Sequence, residues 1–325
     1  MRESTFSLVS SQLRQEETPP EGFNQWNLAD NRGVTLAHLA AKRGTLPRDF
    51  NQWNLSDQDG WTVAHVAAEF DHLPFEFAQW ALATKDGWTV AHVAATVGTL
   101  PRGFRRWDLA DKYRRTVAHV AAMFGNLPVD FDDWKKADLD GRTVAHYAAA
   151  AGRLPINFNL WGLTDREGQT VAHDAALCGK LPADYYQWGL VDRDGQSVAH
   201  HAAINKCLPA DFNQWELLNQ QGQTVAHVAA ANVGLTKGFN RWELLNRQGQ
   251  TVAHVAVAYG NLPQGFDLWG LVDKGGQTVA HVAAIHGRLP KEFTQWELRD
   301  SQGRTVAQVA MELRAHPQVQ LESED

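Results

Sequence analysis

Apolar, small and polar positions recur along this chain with one long period. From Asp57 to Trp80 the residues DQDGWTVAHVAAEFDHLPFEFAQW run from a polar turn through a stretch of small apolar residues to Leu-Pro and two aromatics, and the phrase returns every 27 residues. His38, His65, His92, His119, His146, His173, His200, His227, His254 and His281 mark one column of it, with Gln308 in an eleventh copy. A tryptophan column keeps the same interval from Trp26 to Trp296. A constant period of this length is the signature of stacked repeats, in which each unit buries its apolar face against its neighbours.

Three pieces are predicted in each unit. Asp57-x-x-Gly60 is a turn, with an Asp able to bond the backbone ahead and a Gly suited to positive φ, so a short projecting finger is expected. Thr62 then stands as N-cap of a short helix through Val63, Ala64, Val66 and Ala67, ended by glycine in the column of Gly44, Gly98 and Gly125. Leu46-Pro47 restarts the chain, and Phe50 and Trp53 at i+3 and i+6 predict a second helix of about two turns, partly 3₁₀. The aromatic columns, Trp53 and Trp80 among them, are expected between repeats, each side chain contributing about 2–3 kcal/mol by transfer.

The pattern divides the chain into a degenerate N-terminal cap at residues 1–19, an array of eleven units at 20–315 and an acidic flexible tail at 316–325. Arg114 replaces a turn glycine, which predicts a locally altered finger. Lys206 and Val233 replace helix-ending glycines, which predicts a bend between residues 204 and 238.

Composition adds little to this picture and removes some functions. With 44% hydrophobic residues, 21% charged residues and a formal net charge of −7, bulk charge gives no reason to expect a nucleic-acid binder. The chain lacks an apolar run near the roughly 20 residues that cross a bilayer, and its first residues lack the apolar stretch of a secretory signal. A soluble, cytoplasmic monomer without membrane insertion is expected, with export lacking a classical signal left open. Cys178 and Cys207 occupy different columns, and free thiols are expected.

The string Asp-x-x-Gly-x-Thr-x-x-His-x-Ala-Ala-x-x-Gly resembles the first half of an ankyrin repeat. Two departures stand out: Thr-Val-Ala-His replaces the family's Thr-Pro-Leu-His, and the period is six residues shorter than the family's 33 or so. The resemblance implies an all-α fold, an α-solenoid of ankyrin-like helix-turn-helix repeats with short β-turn fingers. It also implies that Thr62 bonds His65 while the second imidazole nitrogen reaches the neighbouring repeat's backbone, and that His92 and His119 do likewise. These residues are thereby structural.

Such a column cannot be a metal centre, because stacked helices lie about 8–10 Å apart and zinc needs ligands at about 2 Å. A catalytic constellation should be singular, whereas nearly every candidate His, Asp and Thr recurs. The off-column His72, His201, His286 and His316 have no Cys or Ser partner at a recognised spacing, and there is no phosphate-binding Gly loop. A non-enzyme is expected, with no catalytic residue, metal or cofactor assigned.

What remains is binding, which in repeat arrays falls where the copies differ. Carried over from the ankyrin resemblance, the exposed variable positions hold Trp61, Phe70, Trp88, Tyr113, Arg115, Met123, Phe124 and Arg142. Aromatics and Arg are what protein interface hot spots are rich in. The resemblance therefore implies a scaffold that binds an unidentified protein partner on its concave and finger surface. The alternatives are a glycan or small-ligand binder stacking on Trp61 and Trp88, and a passive structural spacer. Some of these aromatics could also simply fill gaps between fingers.

Overall fold

The computed structural model describes residues 23–232, 234–236 and 238–315, of the last three only the backbone. The expected cap at 1–19 and tail at 316–325 lie outside the described residues. The chain divides into two compact units, Met1–Arg166 and Glu167–Asp325. The first holds α1 (Leu36–Arg43), α2 (Val63–Glu69), α3 (Val90–Val97), α4 (Val117–Phe124) and α5 (Val144–Ala151). The second holds α6 (Val171–Leu177), α7 (Val198–Ile204), α8 (Val225–Asn232), α9 (Val252–Tyr259), α10 (Val279–Ile285) and α11 (Val306–Ala315). Within each unit every helix packs on the next in sequence, and among the described residues there is no strand.

Helices of seven or eight residues are too short to stand alone in water. Here their first N–H groups find acceptors outside the helix. In α2, Val63 donates to the carbonyl of Leu55, Ala64 to that of Trp53 and His65 to the hydroxyl of Thr62. At the other end, a side chain of the following repeat often reaches a late carbonyl: His72 that of Ala41, Asn126 that of Ala95 and Asn261 that of Ala230, at 2.8–2.9 Å. Each helix is thus closed by other segments as much as by itself. Alanines such as Ala64, Ala67 and Ala68 are wholly buried, and their size permits the close approach.

The fingers are closed by a single antiparallel bridge each, such as Ser56 with Thr62. The Asp57 carboxylate accepts from the N–H groups of Asp59 and Trp61. Neighbouring fingers are joined through their backbones, as in Lys85 N–H to Asp59 O.

The expected second helix is absent, which corrects the helix-turn-helix reading: each described repeat carries one helix. Pro47 to Phe50 forms one turn and Gln52 to Leu55 another, each closed by an i to i+3 bond. The stretch is too short to travel as a helix and return; instead its carbonyls serve the N-terminus of the helix that follows. Its aromatics do stack. In the first unit Phe50, Trp53, Phe77 and Trp80 alternate edge to face at centroid separations of 5.0–5.6 Å, and the pattern continues to Trp161. In the second it runs from Tyr185 to Trp296.

One other expectation fails. Arg114 adopts φ of 60° and its finger keeps the Ala110–Thr116 bridge, so the finger is not altered. Lys206 likewise adopts φ of 59°, as does Asp71 in the same column, and the ring ladder crosses the region through Trp215 and Phe239 at 5.0 Å. Val233 lies outside the described residues, so of the positions expected to make 204–238 irregular only Lys206 and Thr236 are described. The neighbours over-determine these backbone positions, so an unsuitable residue is strained into place rather than allowed to change the path.

Candidate functional site

The histidine column is the most polar part of the core, and its chemistry is structural. Nδ1 lies 2.6–2.8 Å from the hydroxyl of the capping Thr or Ser in all ten copies from His38 to His281. The backbone N–H of Thr62 also points at Nδ1 of His65, at 3.1 Å. Since that N–H can only donate, Nδ1 accepts, and Nε2 must carry the proton it donates to the carbonyl of Trp88 at 2.9 Å. His92 and His119 repeat this toward Arg115 and Arg142. Burial lowers the imidazole pKa well below its usual 6.5, to about 4 for His65 and His200, and lowers those of His38, His92, His119, His227 and His254.

Gln308 takes the place of the eleventh histidine. Its side-chain oxygen accepts from Thr305 N–H at 2.8 Å, reproducing the cap half of the histidine's bonding.

The candidate binding residues separate into two kinds. Trp61 and Trp88 are half-buried and lie on the rings of His65 and His92, at 5.1 and 4.8 Å. Arg115 joins Trp88 at 5.4 Å and Tyr113 at 5.1 Å, while its guanidinium grips the buried Asp111 carboxylate at 2.7 and 2.8 Å. Lys112 stands over Tyr113 and pairs with Asp86. Arg142 lies over Tyr147, whose hydroxyl donates to Asp138; burial raises that phenol's pKa. These side chains are tied into the fingers.

Phe70, Met123 and Phe124 are different. They stand on the helix ends, exposed by 38%, 45% and 48%, and Val97, in the column of Phe70 and Phe124, is exposed by 46%. Phe70 is touched by Lys42 and His72 only at its ring faces, at 5.2 and 6.5 Å. The structure therefore brings Trp88, Tyr113 and Arg115 together, and in the same unit leaves an apolar column exposed at the helix ends.

The sequence reading overlooked two features. In the second unit Val191, Leu218, Leu245 and Val272 occupy the column before the finger's Asp or Asn and are each more than half exposed, where the first unit has Ala, Ser or Thr. The change of residue type along that column was the available signal. The other is a group formed by His173, Asp192 and His201, whose ligand-type atoms all lie within 4.8 Å of one another. The distance argument against a shared metal holds for column histidines; His201 is one residue beyond its column and leans toward His173, ring centroids 4.9 Å apart.

Two open grooves, of about 710 and 730 Å³, lie on the turn layer at Gly265 and Gly103 and are floored by Phe and Trp of the ladder. No helix is long and apolar enough to cross a membrane, among the described residues. Cys178 and Cys207 are unbridged. The chain matches no protein-family model and no curated protein.

Proposed function

We propose that this chain is a non-catalytic scaffold of short, ankyrin-like repeats that binds a protein partner through the finger and helix-end surface of its first unit. The observation that carries this reading is the column Phe70, Val97 and Phe124, in three successive repeats, 38–48% exposed at the helix ends. In a finger of the same unit Tyr113 adds a half-exposed ring braced by Arg115 and Lys112. Apolar and aromatic groups on a rigid backbone suit an interface, because little entropy is lost when they are covered. The ankyrin likeness is supported by the finger bridge, the Thr cap and the histidine bond to the next repeat.

Two alternatives are weaker. A glycan platform needs a free indole face, and Trp88 already contacts both His92 and Arg115. A spacer has no use for three exposed apolar side chains in register.

The test compares the native chain with a Phe70→Ala, Tyr113→Ala, Phe124→Ala variant in cross-linking pull-downs from source-cell lysate, fold checked by circular dichroism. Specific proteins captured by the native chain and lost by the variant are expected. An identical or empty catch from both would overturn the assignment of this surface.

A further inference from the structure

The column that follows the helix histidine is aliphatic through most of the array: Val66, Val93, Val120, Val228, Val255 and Val282. In α7 it holds His201. A nearly buried imidazole in this column costs desolvation; like Tyr147 on His119, it meets the column histidine of the preceding repeat edge to face. Its surroundings suggest another use. His201 Nε2 lies 3.1 Å from Asp192 Oδ2, the side chains being 12% and 6% exposed, while Nδ1 of His201 is buried without a hydrogen-bond partner. Wholly buried His173 completes the group.

We propose that His173, Asp192 and His201 form a binding site for a borderline divalent cation of the Zn²⁺ class, in the second unit and independent of the partner surface above. Two imidazoles and one carboxylate are a donor set that zinc takes, with a fourth position left for water. Ligand atoms around a tetrahedral ion with bonds of about 2.0–2.1 Å are separated by about 3.4 Å, and the His201–Asp192 pair is already near that separation. Supporting bonds are in place: Asp192 Oδ1 accepts from Gln196 N–H at 2.8 Å, and Thr170 Oγ1 holds His173 Nδ1 at 2.7 Å. His173 Nε2 now faces the Gln196 carbonyl at 3.1 Å. To ligate, each imidazole moves its proton from Nε2 to Nδ1: His173 gives up the Gln196 bond and its Nδ1 then donates to Thr170 Oγ1, while His201 gives up the Asp192 bond and its proton passes to the buried Nδ1. The metal bonds offset the hydrogen bonds of His173 to Gln196 and of His201 to Asp192, and the Thr170 N–H contact to Nδ1.

A plain hydrogen bond is the competing explanation, because Tyr147 makes one to Asp138 from the same two columns. The array itself provides the discriminating variants. His201→Tyr rebuilds the Tyr147 arrangement while removing the ligand, and Asp192→Asn installs the residue that Asn219 and Asn246 carry in working fingers. The full chain, stripped with a chelator, is titrated with Zn²⁺ by calorimetry and with Co²⁺ by absorption. The native chain is expected to bind one more equivalent than either variant, or to bind it more than roughly 100-fold tighter, since even outer-shell changes cost 10–100-fold. Equal stoichiometry and affinity in native chain and His201→Tyr would overturn the site. A cobalt spectrum with thiolate charge transfer would do so too, by assigning the ion to Cys178 or Cys207.

Discussion

His65 Nε2 donates to the carbonyl oxygen of Trp88, 23 residues later, so one imidazole closes its own helix and the finger of the next repeat together. The ring can do both only as the neutral tautomer with the proton on Nε2.

Acid should therefore weaken the array. Above pH 6.5 these imidazoles are neutral in both folded and unfolded chains, and their contribution is complete. Between pH 6.5 and about 4 the unfolded chain takes up protons that the folded chain refuses at His65 and His200, so stability falls as pH falls; below about 4 their loss levels off. Each such histidine accounts for on the order of 3 kcal/mol. Urea midpoints measured from pH 8 to pH 4 should drop steeply below pH 6.5; a flat profile to pH 4.5 refutes the mechanism.

Breaking the aromatic ladder should be costly. Trp53 is 8% exposed and lies between Phe50 and Phe77, so Trp53→Ala removes two edge-to-face contacts and leaves a void. A loss of about 3–5 kcal/mol is expected in denaturant unfolding. Phe75→Ala, at a ring 95% exposed, should change stability by less than about 0.5 kcal/mol.

Turn glycines should differ in their tolerance. A Cβ at Gly249 would sit 2.2 Å from Lys274 Cβ, whereas one at Gly103 meets nothing within 4 Å; both have φ near 80°. Gly103→Ala should cost about 1 kcal/mol for the backbone alone, and Gly249→Ala clearly more, as read from thermal midpoints. Arg114→Gly should raise stability by up to about 1 kcal/mol, because it relieves a left-handed arginine.

The proposed partner surface should be separable from stability. Phe70→Ala, Tyr113→Ala and Phe124→Ala together should leave the midpoint within about 1 kcal/mol of the native chain, given their exposure. A larger drop would mean that these rings serve packing.

The repeat, its length, the finger turns, the Thr cap and the burial of the small residues were all legible in the sequence, because each depends on local periodicity and on backbone preferences of Asp, Gly, Thr and Pro. The second half of the unit was not. Phe50 and Trp53 have helical spacing, yet their carbonyl neighbours are drawn to the N–H groups of the next helix, and a competition between segments is decided only when they are packed. Nor could periodicity show that Arg114 and Lys206 would be held at positive φ, since the strain is imposed by neighbouring repeats. Among the candidate site residues, residue type singled out Trp61, Trp88 and Arg115, but only tertiary contact showed them braced on His65, His92 and Asp111. His201 was visible as an off-column histidine; its approach to His173 and Asp192 arises from stacking one helix and finger against another, a relationship in space that spacing along one chain does not encode.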